Sequence, residues 1–307
     1  MKENKKDKAE LIIKKAIVII IIILIALLIS INQKLNKIEL TQLQNNSSSQ
    51  MMGYVIKTKN NKVIVIDGGT KEDSQNLEEQ INANGGKVDY WFITHPHIDH
   101  MGAFLEITKN TNIKIGKIYT TYNDLDWYQK YSNERTNEVE NIEKFFNIIN
   151  SENIKEKVEK VYINEKIKIE NINIEILGIA NPEITNNPTN NSSMIIKMDV
   201  NTKKILFLAD TGLESGEKLL ETQADKLKAD IVQMAHHGQS GVNKDVYEKI
   251  QPSICMWPTP EWLWNNDSGT GENTGIWKTI ETRQWMKDFN VKQNIVEKDG
   301  NFTIEVF

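Results

Sequence analysis

Five histidines occur in 307 residues, and none stands alone. Three fall in His95-Pro96-His97-Ile98-Asp99-His100, and His236 and His237 are adjacent in VQMAHHGQS. Histidines recruited for packing would be scattered, so two tight clusters require a chemical reason. Imidazole nitrogens interleaved with a carboxylate are suited to bind zinc, manganese or iron. VDYWFIT ahead of His95 reads as a buried strand, and MGAFLEIT behind His100 as a helix. Alternate residues leaving a strand point the same way, so His95 and His97 can face one ion. Asp99 and His100, at the turn into the helix, can face a second point close by. Pro96 has no N–H and stiffens the loop.

One loop cannot enclose two ions, so other segments must supply the remaining ligands. KILFLAD ends a predicted strand with Asp210, whose two oxygens suit a bridge between metals. IVQMA delivers His236 and His237 at the end of another, and KVIVIDGG ends a third with Asp67. All these groups sit at C-terminal ends of predicted strands, a placement that could gather them on one rim. An Asp-Gly pair after a strand is ordinarily only a turn. Asp67 and Asp210 therefore gain their chemical weight from the histidine clusters.

The positioning elements follow from periodicity and turn residues. YVIKTKNNKVIVIDGG reads as a hairpin, SQNLEEQINANGG as a helix closed by glycines, and IGKIYTT as a strand. Val139, Ile142, Phe145, Phe146 and Ile149 line one face of an amphipathic helix within TNEVENIEKFFNIINSEN. Short strands follow in KVYIN, KIKIENINIEILGI, SMIIKMDV and KKILFLAD. EKLLETQADKLKAD and NKDVYEKIQP read as helices, and NIVEKDGNFTIEVF as a hairpin around Asp299-Gly300. This mixture predicts an α+β domain of two packed sheets with helices outside.

THPHIDH, preceded by VIVIDGG and followed by FLAD and HHG, resembles the metallo-β-lactamase superfamily of hydrolases. Within it, THPHIDHMGAF, NNSSMIIKM, FLAD and HHGQSG are similar to the hydrolase domain of the bacterial competence DNA-uptake channel protein, the ComEC-like branch. The resemblance implies a four-layer αββα sandwich with two divalent metal ions on its edge, zinc first, with manganese or iron as alternatives. It places His95 and His97 on the first ion, and Asp99, His100 and one histidine of the last pair, His237 ahead of His236, on the second. Asp210 would bridge, Asp67 would brace the histidine loop, and Asp99 and His236 would serve catalysis. Superfamily members usually carry a further histidine between the first cluster and the bridging aspartate. This chain has none between His100 and His236, and Asn191 or Ser193 could face the site there instead. The ComEC-like branch also lacks that histidine.

The first 31 residues are of another kind. Residues 1–10 form a lysine-rich tail, and AIVIIIIILIALLISI, residues 16–31, carries no charge. At ~1.5 Å per residue it spans roughly 24 Å of helix, and Leu11–Ile13 can extend it towards a ~30 Å bilayer core. Residues 11–31 therefore read as a transmembrane helix. Leu28 is too large for the small-residue pattern of a signal-peptidase site, so an uncleaved anchor is expected. The flanking lysines place the rest outside the cytoplasm; cleavage would make it secreted. Residues 32–50 read as a juxtamembrane helix fading into a polar linker, and 51–307 as the hydrolase domain.

Residues 32–307 hold 31 Lys and Arg against 39 Asp and Glu, a net charge of −8. That balance disfavours a nucleic-acid grip, which is usually basic, without excluding a local basic patch. The single Cys255 rules out an intramolecular disulfide and a cysteine-rich zinc site. Trp257, Trp262, Trp264 and Trp277 cluster in a loop-like segment. They read first as a cap on the core, and otherwise as an aromatic wall for a base, a sugar or a quaternary ammonium.

The expected activity is hydrolysis by a hydroxide shared between two metals, at the surface of a membrane, on a phosphodiester or a phosphorylcholine-type ester. A carboxylic ester, lactone or lactam is the alternative substrate, and a metal-bound non-catalytic surface or DNA-uptake module the alternative role. No feature of the sequence points to an oligomeric state.

Overall fold

Alternation of apolar side chains builds two sheets that are buried on both faces. The computed structural model describes residues 3–109, 112–132 and 137–307. Lys2 of the basic tail and Thr136, at the head of the expected amphipathic helix, lie outside them. The strands are β1 (Ile38–Gln42), β2 (Gly53–Lys57), β3 (Val63–Asp67), β4 (Lys87–Ile93), β5 (Lys114–Thr120), β6 (Val158–Lys160) and β7 (Lys166–Ile169). They continue as β8 (Ile172–Gly178), β9 (Ile195–Val200), β10 (Lys203–Phe207), β11 (Ile231–Gln233), β12 (Ile254–Trp257), β13 (Gln293–Val296) and β14 (Phe302–Val306). The helices are α1 (Glu3–Leu35), α2 (Ser74–Ala83), α3 (Ile98–Ile107), α4 (Leu125–Tyr131) and α5 (Glu138–Ile149). After them come α6 (Leu213–Gln223), α7 (Lys244–Ile250), α8 (Glu261–Trp264) and α9 (Thr279–Asp288).

The first sheet has the order β14-β1-β2-β3-β4-β5-β6 and the second β13-β12-β11-β10-β9-β8-β7. Each is antiparallel on one side and parallel on the other. The parallel sets are β3 to β6 and β10 to β13. Along β3 the two-residue period sends Ile64 and Ile66 between the sheets, where they join Phe92, Ile196 and Phe207. Val63 and Val65 point the other way and pack with Leu77, Phe104 and Phe145 from α2, α3 and α5. The second sheet does the same with Leu206, Val232 and Leu219 of α6. The result is the helix–sheet–sheet–helix layering of the metallo-β-lactamase fold, with the N-terminal apolar α1 outside it.

Three expectations fail here, one of them the strand in KVYIN, since β6 covers Val158–Lys160 and stops where that segment begins. NIVEKDGNFTIEVF is not a hairpin: β13 pairs with β12 in the second sheet and β14 with β1 in the first. The Asp299-Gly300 turn exists, with Gly300 at φ 110°, but it sends the chain across to the other sheet. Residues 32–50 are not all linker. After α1 ends at Leu35, Ile38–Gln42 forms β1 between β14 and β2, with Ile38 and Leu40 fully buried.

Candidate metal centre

The parallel strands end on one rim, and the chemistry-bearing residues follow those ends. Asp67 closes β3 at φ 53°, His95 lies two residues past β4, and Asp210 lies three past β10. His236 and His237 follow β11 in consecutive left-handed conformations, φ 48° and 56°. Left-handed backbone is costly for residues other than glycine, so this turn is held by its surroundings. Gln233 holds the neighbouring turn: its Oε1 accepts from the N–H groups of Leu208 and Ala209 at 2.8 and 2.6 Å, and its Nε2 donates to Ala209 O. Ala209, at φ 49°, in turn accepts from His236 N at 2.9 Å.

The histidines and aspartates converge. His95 Nε2 lies 3.1 Å from His97 Nδ1 and 3.9 Å from Asp210 Oδ2. His100 Nε2 lies 3.2 Å from Asp210 Oδ1. His237 Nε2 lies 3.3 Å from Asp99 Oδ2 and 3.4 Å from Asp210 Oδ2. Two groups of side chains are each close enough to hold one ion: His95, His97 and Asp210, and Asp99, His100, Asp210 and His237. Asp210 belongs to both.

The opposite nitrogen of every buried ring is engaged by the protein. His100 Nδ1 donates to Asp67 Oδ2 at 2.7 Å, and His237 Nδ1 to Pro258 O at 2.8 Å. His97 Nε2 donates to Glu138 Oε1 at 3.1 Å, and His95 Nδ1 lies 3.1 Å from Thr94 Oγ1. Asp67 also accepts from Thr94 N and Thr94 Oγ1, both at 2.7 Å, so one carboxylate ties the histidine loop to β3. By contrast His100 Nε2, His237 Nε2 and Asp210 Oδ1 are buried and meet only one another and Asp99, at 3.2–3.4 Å, without a well-aligned hydrogen bond. Rings fixed at one nitrogen and bare at the other are how histidine ligands to metals are presented. The donor set therefore fits divalent cations.

Charge agrees with geometry. Burial alone would lower the His100 imidazole, but Asp210 and Asp67 together outweigh it and push it up to about 10. His237 is likewise raised well above its ordinary value, against burial, by Asp210 and Asp99. Burial works against ionising Asp210, yet the His100 and His237 charges hold it well below the carboxylate range. His95 goes the other way, lowered by burial and by its histidine neighbours. The carboxylates thus favour positive charge at the place a metal would take.

The remaining sequence candidates separate. His236 is partly exposed at the rim. Its Nδ1 donates to Ser240 O at 3.3 Å, its Nε2 meets Asn190 Nδ2 at 3.2 Å, and Asp210 Oδ2 is 3.9 Å away. Asn191 does not face the centre: its amide is consumed by Asn186 O, Glu214 and Ser215 N, and it is fully buried. Ser193 touches the centre from behind, its Oγ 3.4 Å from His95 Nδ1 and accepting from Asp210 N at 3.2 Å. Trp257 offers no surface to a substrate, being wholly buried with Nε1 bonded to Asn294. It backs the histidine turn instead: a Cβ on Gly238, at φ 76°, would lie 2.4 Å from its ring. Trp264 packs edge-on against Trp257 and under Arg283, 4.1 Å from the guanidinium. Trp262 pairs with Trp277 and donates to Ser48 O, in a segment whose Met52 N bonds Asp99 O.

Sequence reasoning missed Glu138, Gln233, Thr94 and Asn190. Thr94 was adjacent to the motif and could have been found. Glu138 and Gln233 act on partners 41 and 24 residues away, with no spacing signal.

A family model described as the metallo-beta-lactamase superfamily matches residues 52–252. No curated protein matches the chain in sequence. Among solved structures, the metallo-beta-lactamase fold protein YhfI from Bacillus subtilis superposes with TM-score 0.53 at 11% identity, over 88% of this chain and 100% of that one. Unliganded yeast PDE1 gives TM-score 0.54 at 13% identity, over 88% and 100%. CmlA, a diiron beta-hydroxylase from Streptomyces venezuelae, gives 0.52 at 11%, over 87% of this chain and 54% of that one. At such identities the shared property is the fold.

Proposed function

We infer that this chain, which belongs to the metallo-β-lactamase superfamily, is a metal-dependent hydrolase built around a two-ion site. The observation that carries this reading is the divided duty of His95, His97, His100 and His237: one nitrogen anchored, the other turned to a shared centre. His95, His97 and Asp210 would hold one ion, and Asp99, His100, Asp210 and His237 the other. Divalent ions in such a setting supply Lewis acidity, which promotes attack by water and neutralises developing negative charge.

The chain's own residues do the rest. Asp67, Glu138 and Pro258 O fix ring orientation, so the ligands need no reorganisation when charge develops. His236 Nδ1 donates to Ser240 O and Nε2 accepts from Asn190 Nδ2, which holds the ring at the rim, where it would move a proton to a departing oxygen. The partly exposed Trp262–Trp277 pair, joined through Ser48 O to the segment that bonds Asp99, would supply an aromatic wall.

We propose a phosphoester substrate, a phosphodiester or a phosphorylcholine-type ester, processed outside the cytoplasm by a protein anchored through α1. The lysines before the apolar run support that orientation. The lack of a histidine between His100 and His236 supports placement in the ComEC-like branch. The test is the purified chain with zinc or manganese against bis-p-nitrophenyl phosphate, p-nitrophenyl phosphorylcholine, single-stranded DNA and nitrocefin. Phosphoester turnover that disappears in Asp210→Ala is expected. Activity on nitrocefin alone contradicts the substrate assignment, and silence on all four with both ions bound favours a non-catalytic module.

A further inference from the structure

The sandwich begins two residues after α1, and that spacing fixes what lies beneath it. The uncharged run ends at Ile31, and α1 continues to Leu35, roughly 6 Å further along the axis. Asn36 and Lys37 alone separate α1 from β1. Asn36 is clamped. Its N–H bonds back to Asn32 O, its carbonyl accepts from Asn171 Nδ2 and Asn201 Nδ2 at 2.9 and 3.0 Å, and its Oδ1 accepts from Lys59 Nζ at 2.9 Å. The helix therefore enters the sandwich without a linker. With α1 as an uncleaved anchor, this end of the sandwich lies in the headgroup layer, which is roughly 5–8 Å deep on each side of a bilayer.

It is the end away from the metal centre. Gly53 pairs with Asp67 at the rim, whereas Lys57 pairs with Val63 and with Glu39 of β1 at the other end. One strand length, roughly 15 Å, separates the two ends. A hollow of about 170 Å³ opens there between the end of α1 and the β2–β3 turn. Lys34, Lys37, Lys57 and Lys59 line it, against the carboxylate of Glu39. Glu39 is shared by Lys37 at 3.3 Å and Lys57 at 3.9 Å, Lys37 also meets Glu305, and Lys59 donates to the neutral Asn36 amide. Carboxylate charge thus falls short of ammonium charge here, although the exported part as a whole is acidic. Lys34 and Lys59 are exposed, Lys37 and Lys57 are about one-third exposed, and Leu35 is 70% exposed beside them. Ammonium groups at headgroup depth next to an exposed apolar side chain complement a lipid phosphate and the start of its acyl chains.

We propose that this hollow docks the headgroup of an anionic phospholipid of the bilayer that α1 spans, with the metal rim turned to water. The proposal rests on α1 remaining attached, so the test uses the full chain at an intact mass that includes residues 11–31. Native mass spectrometry from detergent holding equal phosphatidylglycerol and phosphatidylcholine should show phosphatidylglycerol retained in preference. Lys34→Gln combined with Lys59→Gln should lower that preference about tenfold at an unchanged melting temperature. Lys130→Gln combined with Lys278→Gln, which deletes the same charge at exposed positions elsewhere, should leave it intact. A preference unchanged in the first double variant would assign the lipid to the lysines before the apolar run and overturn the site. Free glycerol phosphate bound as tightly as the lipid would overturn the membrane as the source of the ligand. A protein made by its native host with a mass lacking residues 11–31 would overturn the anchor, and this docking with it, by a separate measurement.

Discussion

Asp67 and His100 show how much of this centre is settled by single side chains. The Asp67 carboxylate meets three donors, one of them His100 Nδ1, and leaves His100 Nε2 facing Asp210. Without ions His100 keeps its proton up to about pH 10, against an ordinary 6.5. Because the folded value is raised, its contribution to stability is complete below about pH 6.5 and is lost as pH climbs through about 10. A metal must displace the same proton, so ion affinity strengthens across that window. The chelator-treated chain should therefore lose thermal stability between pH 6.5 and 10, while added zinc restores progressively more. His100→Asn should flatten both slopes; slopes unchanged in that variant would contradict the assignment. The residues of this network that the sequence discloses are those with fixed spacing. His95, His97, Asp99 and His100 announce themselves, and Asp67 and Asp210 become meaningful beside them. Glu138 and Gln233 are invisible because only the fold brings them near.

At the scale of elements, strand ends and turns were legible and strand partners were not. KVIVID, VDYWFIT and KKILF read as strands because their residues are apolar and β-branched, and each delivers its acidic or histidine group at the C-terminal end. The last 14 residues mislead because a turn signal specifies a reversal and is silent about which sheet receives the next strand. β1 misleads because it is short and follows a long helix, so its five residues inherit a helical expectation. Its packing carries a consequence. β1 joins β14 to β2, and Ile38, Leu40 and Leu43 are fully buried. At about 1.5–3 kcal/mol for each such side chain, losing them removes much of a typical 5–15 kcal/mol stability. A domain begun at residue 51 should be unfolded or aggregated, whereas one begun at residue 37 should melt cooperatively. Equal melting of the two would show that β1 is dispensable.

For the molecule as a whole, an N-terminal apolar helix stands apart from the sandwich. Residues 8–35 form an apolar helix with no contact burying it, long enough for a bilayer and equally able to be a signal sequence. The sandwich beyond it buries its apolar residues in three layers and carries its acidic excess outside. If the helix is an uncleaved anchor, the protein recovered from membranes by detergent has an intact mass that includes residues 11–31; a mass lacking them identifies a signal peptide. The metal centre stands on the sandwich alone, and its test is direct. Metal content of the purified chain, measured together with anomalous scattering from its crystals, should show two ions. One should lie among His95, His97 and Asp210, and the other among Asp99, His100, Asp210 and His237. A metal-replete preparation in which no ion binds between those side chains would contradict the account.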